Sequence, residues 1–328
     1  MLYEGSRDLG GVCFQGPFVL DNISAMNILP QILVNGIIAG SVIALIAMGL
    51  SLIYGVLKFM NFAHGDMAMV GAFLYYYFFI TLAWPLLPSL LGAIILTGFV
   101  AIIFNKLVFE PLRQESQWTL LITSIGVGLL LRAIVLMIAS GYSRNYSREG
   151  IQTDVYSLLD GKILITDYQG VLLICTLAIL IGMALFLKYS KTGKAIRAVS
   201  DNMQIASVLG IPVKRTIMII FILSGCLAGF AGVLIGYEQN LSPAMGLILS
   251  ISAFSAVVVG GLGNVWGAVL GAMILGILQN LLVGIEWWGF SIPTSYKSAI
   301  AFSLLILMLV FRPRGLLGTS LEEEAGRK

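Results

Sequence analysis

Residues 188–215, KYSKTGKAIRAVSDNMQIASVLGIPVKR, form a long polar interruption in an otherwise apolar chain. The segment carries six cationic side chains and a single acidic one, Asp201. Because charged side chains are costly in hydrocarbon, the segment lies outside the membrane, and its excess of Lys and Arg predicts the cytoplasmic side. The apolar runs that flank it are then membrane spans.

The same segment has the pattern of an amphipathic helix. Apolar residues recur at steps of three and four, as on one helix face: Ile196, Val199, Met203, Ala206 and Leu209. Gly210 and Pro212 form a stop signal after this pattern. We predict one amphipathic helix whose apolar stripe packs either against the base of the membrane domain or against a partner protein.

The composition indicates an integral membrane protein. Of 328 residues, 59% are hydrophobic and 11% are charged, and the mean hydropathy is +0.98, whereas a soluble domain carries roughly a quarter charged residues. A helical span needs about 20 apolar residues. Apolar runs fall at about 28–57, 62–82, 86–108, 118–140, 168–187, 217–237, 247–262, 264–284 and 295–311. We predict an all-α polytopic protein with about eight or nine transmembrane helices, of which the short 247–262 run is either re-entrant or a full crossing.

The distribution of basic residues predicts the orientation. With the N-terminus outside, inner segments hold thirteen Lys and Arg residues and outer segments hold four. The prediction is N-out and C-in, with an extracytoplasmic segment 1–27, a transmembrane domain 28–317, a cytoplasmic loop 188–216 within it, and a cytoplasmic tail 318–328. The outer loop 141–167 is too polar for a span and is expected to cap the outer mouth. The net charge of +3 lies in loops and indicates topology, not nucleic-acid binding.

Glycine patterns predict close packing of helices and broken helices. G-x-x-x-G pairs occur at Gly36/Gly40, Gly225/Gly229 and Gly267/Gly271, and packing within one bundle is favoured over a dimer face. FAHGDMAMVGAF (62–73) and GLGNVWGAVLGA (261–272) both place a polar, Gly-rich break before a small-residue helix. Such breaks in two halves of a chain are typical of transporter cores.

Four polar residues in or beside the spans are candidates for the transport pathway or for structural roles: Arg132, His64, Asp66 and Asn264. His64 and Asp66 either form a proton relay or belong to a helix break, in which Asp66 or Asn61 caps the next helix. Arg132 lies in mid-span, where it either binds a substrate carboxylate or pairs with an acid or helix-end carbonyls.

Enzyme signatures are missing from the sequence. It has no G-x-x-x-x-G-K-[ST], G-x-S-x-G, H-E-x-x-H or C-x-x-C motif. We therefore expect no catalytic residues, no metal site and no cofactor of its own.

Ordered motifs across the chain closely resemble those of branched-chain amino-acid ABC transporter permeases of the Liv type. They are GLSLIYGVLKFMNFAHGDMAMVGAF (49–73), EPLR (110–113) followed by TLLITSIGVGLLLR (119–132), TGKAIRAVSDNMQIASVLGI (192–211) and FSAVVVGGLGNVWGAVLGAMILG (254–276). The resemblance covers about 28–317 and does not extend to 1–27.

The resemblance implies an inner-membrane importer subunit that acts with partner proteins. These are a second, usually non-identical permease, two cytoplasmic ATPases that use ATP, an extracytoplasmic substrate-binding protein and the surrounding lipid. The segment that matches Gly193–Gly210 corresponds to the family's coupling segment, which occupies a groove of the ATPase. The carried-over coupling residues are Gly193, Ala195, Arg197, Ala206 and Gly210. The chain departs from the family at Asp201-Asn202-Met203, where relatives often have a more acidic or proline-containing stretch.

Three alternative functions stay open at this point. Urea and short-chain amide importers have closely similar permeases, so the substrate is either a branched-chain amino acid or one of these. An ion-coupled secondary carrier would use His64, Asp66 and Arg132 in its path. An intramembrane enzyme is disfavoured by the missing motifs.

Overall fold

The computed structural model describes residues 17–139, 141–146, 155–158, 163–284, 292–312 and 314–318. Within these ranges the chain is almost entirely helical, in the order α1 (Pro17–Leu57), α2 (Ala63–Tyr76), α3 (Leu86–Phe104), α4 (Gln117–Ala139), β1 (Val155–Leu158), β2 (Ile163–Thr166), α5 (Asp167–Tyr189), α6 (Lys191–Asp201), α7 (Met203–Val208), α8 (Val213–Glu238), α9 (Met245–Gly260), α10 (Val265–Gly284) and α11 (Lys297–Phe311). α2 and α3 each continue into a π-helical turn, Tyr77–Thr81 and Asn105–Phe109.

Seven of the described helices are long and apolar enough to cross a membrane: Leu29–Leu57 of α1, Leu86–Phe109, α4, α5, α8, α10 and Thr294–Phe311. The predicted apolar runs therefore match helices, and the all-α polytopic class is confirmed. α9 has 16 residues and is shorter than a usual span, so the prediction of eight or nine crossings stays a prediction. α1 begins at Pro17, earlier than the predicted start near Ile28, because residues 18–27 contain no Gly or Pro to end it.

The bundle is built around α1 and α8. In their most apolar 18-residue windows, 89% of α1 and 72% of α8 is buried, against 28% or less in α3, α4, α5 and α11. α1 packs mainly against α10, and α8 packs against α2, α3 and α1. The four outer helices therefore expose apolar side chains to lipid or to a partner subunit.

The G-x-x-x-G pair of α1 closes the α1–α10 contact. A Cβ at Gly36 would lie 2.8 Å from the Cα of Ile277, and one at Gly40 would lie 3.0 Å from the Cα of Met273. Gly276 of α10 meets Gly40 from the opposite side. These glycines serve packing within one bundle, as the sequence favoured.

The two predicted helix breaks share one construction. α1 is followed by Lys58 with φ +56°, and α9 is followed by Gly261 with φ +116°. In each break, an asparagine lies three residues further on, and its side-chain oxygen accepts hydrogen bonds from backbone amides at the start of the next helix. Asn61 Oδ1 accepts from the Ala63 amide at 3.2 Å, and Asn264 Oδ1 accepts from the Trp266 and Gly267 amides at 3.0 and 3.1 Å. The segments 62–73 and 261–272, which have weak sequence similarity, therefore also have similar backbone and hydrogen-bond geometry at the start of their helices.

The single helix predicted for the polar segment is wrong. The chain forms two helices, α6 and α7, because Asn202 adopts an extended conformation (φ −155°, ψ 110°) between them. Its side chain accepts from the amides of Gln204 and Ile205, both at 2.9 Å, and so begins a new helix. The stop signal is correct, since α7 ends at Val208 and Gly210 follows with φ +79°.

The predicted outer loop contains a small antiparallel hairpin, in which Val155 pairs with Thr166 and Leu158 with Ile163. Gln31 of α1 holds its second strand, donating to the Leu164 carbonyl at 3.1 Å and accepting from the Leu164 amide at 2.7 Å. α6 contacts the other end of α1, where Ser200 lies against Gly55. The hairpin and the polar segment therefore lie at opposite ends of the apolar span Leu29–Leu57 of α1, as the predicted topology requires.

Candidate functional site

The first candidate site is the α6–α7 unit, which both helix caps fix in place. Ser190 Oγ accepts from the Gly193 amide at 2.8 Å and begins α6, and Asn202 begins α7. α6 packs against α1, α5 and α8, and α7 packs against α8. The unit is thus held on the ends of three spans.

The apolar stripe packs inward, against the membrane domain. Ile196, Val199 and Ala206 are buried, with 2% or less of their surface exposed. The stripe ends at Ala206, because α7 ends at Val208 and Leu209 lies beyond it. Leu209, predicted to lie on the stripe, is 73% exposed. The buried part of the stripe therefore packs against the base of the membrane domain, which is one of the two alternatives that the sequence left open.

A second apolar surface, not predicted, points outward from α7 and its end. We call it the α7 knob; it consists of Ile205, Val208 and Leu209, which are 56%, 88% and 73% exposed. Apolar side chains at such exposure outside a membrane span mark an interaction surface. The sequence signal was present in the IASVLG run, but the prediction placed Leu209 on the inward stripe and gave Ile205 and Val208 no position.

The five coupling residues carried over from the family do not share one surface. Gly193 and Ala206 are buried, and a Cβ at Gly193 would lie 2.6 Å from the Leu187 Cα. α5 and the bundle cover these two residues, and their part in coupling stays a prediction. Arg197 and Gly210 are exposed and Ala195 is half-buried. Arg197 donates to the Lys188 carbonyl at 3.2 Å, which ties α6 to the end of α5.

The second candidate site is an ion pair inside the bundle. Arg132 of α4 donates from Nε to Asp66 Oδ1 at 2.6 Å and from Nη2 to Oδ2 at 3.0 Å. The Asp66 side chain is 1% exposed and that of Arg132 is 23% exposed. Two parallel charge-assisted bonds satisfy both planar groups. Of the alternatives predicted for Arg132, the structure shows the one in which the guanidinium pairs with an acidic side chain, Asp66.

Two glycines make room for the Asp66 carboxylate. A Cβ at Gly128 of α4 would overlap Oδ2, and a Cβ at Gly246 of α9 would overlap Oδ1. The carboxylate therefore lies where α2, α4 and α9 meet. Asp66 does not cap α2, so that alternative is wrong, while Asn61 accepts from the Ala63 amide.

His64 lies two residues before Asp66 in α2, about half a turn away, and faces α1 and α8. Its Nε2 is 3.1 Å from the Ile46 carbonyl oxygen, which can only accept, and its Nδ1 is 3.3 Å from Ser224 Oγ. The residue is 1% exposed. Both ring nitrogens thus have partners inside the bundle, which favours the helix-break alternative over a proton relay.

Side chains of α4 and α9 supply hydrogen bonds to the 58–62 break. Ser124 Oγ accepts from the Phe62 amide at 3.1 Å, and Ser250 Oγ donates to the Phe62 carbonyl at 2.7 Å. Non-helical backbone at membrane depth needs such partners. In this break, the backbone amide and the carbonyl of Phe62 therefore both have hydrogen-bond partners.

Asn264, the remaining candidate, joins the second break to the C-terminal segment. Its Nδ2 donates to the Leu317 carbonyl at 3.0 Å, and the amides of Leu316 and Leu317 donate to the Val259 and Gly260 carbonyls. Asn264 has no hydrogen bond to Asp66 or Arg132 in the described part of the chain, and its side chain holds the second break to the C-terminal segment.

Comparison with known proteins identifies the family. A family model described as branched-chain amino acid transport system / permease component matches residues 32–309. The high-affinity branched-chain amino acid transport system permease protein BraD of Pseudomonas aeruginosa is 32% identical over 307 residues, covering 88% of this chain and 95% of BraD. LivH of Escherichia coli K12, named in the same way, is 31% identical over 313 residues with the same coverage. The probable LivH of Methanocaldococcus jannaschii is 32% identical over 303 residues, covering 88% of this chain and 92% of that protein. With its seven apolar helices, the chain is a multi-pass membrane protein that belongs to the family of branched-chain amino acid transport permease components.

Proposed function

We propose that this chain is the permease subunit of an ABC importer and forms part of the path for leucine, isoleucine and valine in the bacterial inner membrane. The observation that carries the proposal is the similarity over 88% of the chain to permeases named for branched-chain amino-acid transport. This similarity favours the amino-acid function over urea transport, ion-coupled transport and an intramembrane enzyme.

The energy comes from partner ATPases, since the chain has no phosphate-binding loop. The α7 knob is the proposed contact with an ATPase groove. Its apolar side chains gain from burial there, and the exposed Arg197 and Gly210 flank it. Gly193 and Ala206 act indirectly, by seating α6 and α7 on the bundle.

The packing below the knob suggests how movement reaches the membrane domain. Ser200 of α6 lies against Gly55, where a Cβ would be 2.9 Å from Ser200 Oγ. Gly55 is in the last turn of α1, directly before the first helix break, and the Gly263 carbonyl of the second break lies near the same glycine. A displacement of α6 therefore acts on both breaks at once. Joints of this kind allow packed helices to change between two arrangements, as alternating access requires.

The importer includes a second, non-identical permease, two ATPases and an extracytoplasmic binding protein. Reconstitution of the complex from this chain and the proposed partner subunits tests the proposal. We expect ATP inside proteoliposomes to drive accumulation of labelled leucine, isoleucine and valine, with the binding protein outside. Mass measurement of the intact complex should give one copy of this chain.

Two results would contradict the proposal. Accumulation of urea or acetamide in place of leucine would assign the chain to the amide importers. Uptake that needs no ATP and collapses with a protonophore would assign it to the ion-coupled carriers.

A further inference from the structure

A cavity at the membrane surface combines basic, apolar and unpartnered polar groups. It is bounded by the end of α3, its π-helical turn and the start of α8, and it is lined by Ile102, Asn105, Lys106, Glu110, Lys214, Arg215 and Met218. α8 begins at Val213, directly after the α6–α7 segment. The cavity is therefore near the end of the bundle that carries the α7 knob, but none of the knob residues lines it.

The charge of the cavity is positive. Three cationic side chains, Lys106, Lys214 and Arg215, face one carboxylate, Glu110. Lys214 Nζ is 3.6 Å from Glu110 Oε1, and its side chain is 84% exposed, so this pair leaves most of the ammonium's hydrogen-bonding capacity free. Lys106 and Arg215 are also exposed. An anion is the ligand that this rim attracts.

One residue that lines the cavity, Asn105, has a buried polar atom without a partner among the described residues. Asn105 is 3% exposed, and its Oδ1 makes no hydrogen bond within the described part of the chain. A buried polar atom without a partner is rare, because its desolvation is not compensated. Asn105 also opens the π-helical turn, and such turns are frequent at functional sites. An amide oxygen accepts, so the group that completes it carries a donor such as a hydroxyl.

The third feature is an apolar track toward the membrane centre. Ile102 and Met218 line the cavity on that side. On α3, Phe99 and Ile103 lie about two turns and one turn before Leu107, and all three are exposed, at 54%, 37% and 70%. α3 is one of the outer helices, so an acyl chain of a lipid held at the cavity can lie along this surface.

We propose that the cavity binds the headgroup of an anionic phospholipid that carries a hydroxyl group, with phosphatidylglycerol as the chemical type. The phosphate lies among Lys106, Lys214 and Arg215, a glycerol hydroxyl donates to Asn105 Oδ1, and an acyl chain follows α3. Basic pockets between helices at a membrane surface are suited to such headgroups. The proposal does not depend on which solute is transported.

Native mass spectrometry of the purified complex, titrated with defined lipids, tests this site. We expect phosphatidylglycerol to bind at least about tenfold more tightly than phosphatidylethanolamine. The triple variant Lys106→Gln, Lys214→Gln, Arg215→Gln should lose about tenfold in phosphatidylglycerol affinity. The matched control Lys58→Gln, Lys188→Gln, Lys194→Gln removes three exposed cations that do not line the cavity and should change the affinity by less than about twofold.

The variant Asn105→Leu tests the contact with the glycerol hydroxyl separately from the attraction between the phosphate and the cationic side chains. It should weaken phosphatidylglycerol binding severalfold while leaving phosphatidic acid, which lacks the glycerol headgroup, unchanged. Equal losses in the two triple variants would overturn the proposal, since binding would then reflect general surface charge. Unchanged lipid binding in the cavity triple, with loss of the ATPase subunits, would also overturn it and assign the cavity to subunit docking.

Discussion

At the scale of single residues, the Asp66–Arg132 pair is the most constrained feature of the chain. The carboxylate is buried, bonded twice to one guanidinium and enclosed by Gly128 and Gly246. Ionised groups in the membrane persist where they are paired. The pair connects α2 to α4, which is otherwise weakly held in the bundle. We infer that its first role is to position α4.

Removing one member of the pair should therefore destabilise more than removing both charges. Arg132→Gln leaves a buried carboxylate without its counter-ion, at a cost of about 3–5 kcal/mol. The double variant Asp66→Asn, Arg132→Gln leaves two neutral groups that can still bond to each other. We expect apparent melting temperatures in detergent to rank wild type above the double variant, and the double variant above Arg132→Gln. A double variant less stable than the single one would show that the charges act independently.

Two glycines of α4 provide a matched test of the space around Asp66. Gly128→Ala places a methyl group against Asp66 Oδ2, whereas Gly126→Ala meets nothing within 4 Å. We expect Gly128→Ala to lower the apparent melting temperature and leucine uptake. Gly126→Ala should leave both unchanged or raise the stability by up to about 1 kcal/mol, because alanine favours helix over glycine. Equal behaviour of the two variants would refute the close-packing explanation.

At the scale of elements, the α6–α7 unit separates two functions that one amphipathic stripe would have to share. The inward stripe anchors the unit to the spans, and the α7 knob is left free for a partner. Within α7 the two surfaces lie on different sides of the helix, since Ile205 and Val208 are about 100° and 200° around the axis from the buried Ala206. Asp201-Asn202-Met203 forms the joint between the two helices.

A charge in the knob should uncouple transport without unfolding the chain. Val208 is 88% exposed, so Val208→Asp costs little in the free permease but buries a carboxylate in an apolar groove. We expect at least about a tenfold loss of ATP-dependent leucine uptake and weaker copurification of the ATPases, at unchanged melting temperature. Lys191→Asp, exposed at the start of α6, is the control and should retain most uptake. Full uptake by Val208→Asp would remove the knob from the coupling mechanism.

At the scale of the whole molecule, the fold is one bundle in which α1 and α8 are enclosed and α3, α4, α5 and α11 form the flanks. The two helix breaks, α6 and the C-terminal segment meet at one end of α1. The hairpin β1–β2 is hydrogen-bonded to Gln31, near the start of the apolar span Leu29–Leu57 of α1. The polar elements are thereby divided between two opposite surfaces.

Cysteine labelling checks the predicted N-out and C-in orientation. In a background with Cys13, Cys175 and Cys226 replaced by alanine, Tyr142→Cys and Ser207→Cys each introduce one exposed thiol. A membrane-impermeant maleimide applied to the outside of the inner membrane, in cells with a permeable outer membrane, should label Tyr142→Cys alone. Both should react once the inner membrane is opened. The reverse pattern would invert the topology.

The sequence by itself determined the apolar helices, the position of the polar segment and the family, because hydropathy, charge bias and ordered motifs are local properties. It also placed both helix breaks, which short runs of Gly and Asn encode. Only the tertiary structure decided that Arg132 pairs with Asp66, that His64 faces α1 and α8, and that the polar segment forms two helices with an anchored face and a free one. The reason is that pairing partners lie far apart along the chain, and the face of a helix that becomes buried depends on packing. Residue types thus fixed where helices form, and packing fixed which side chains meet.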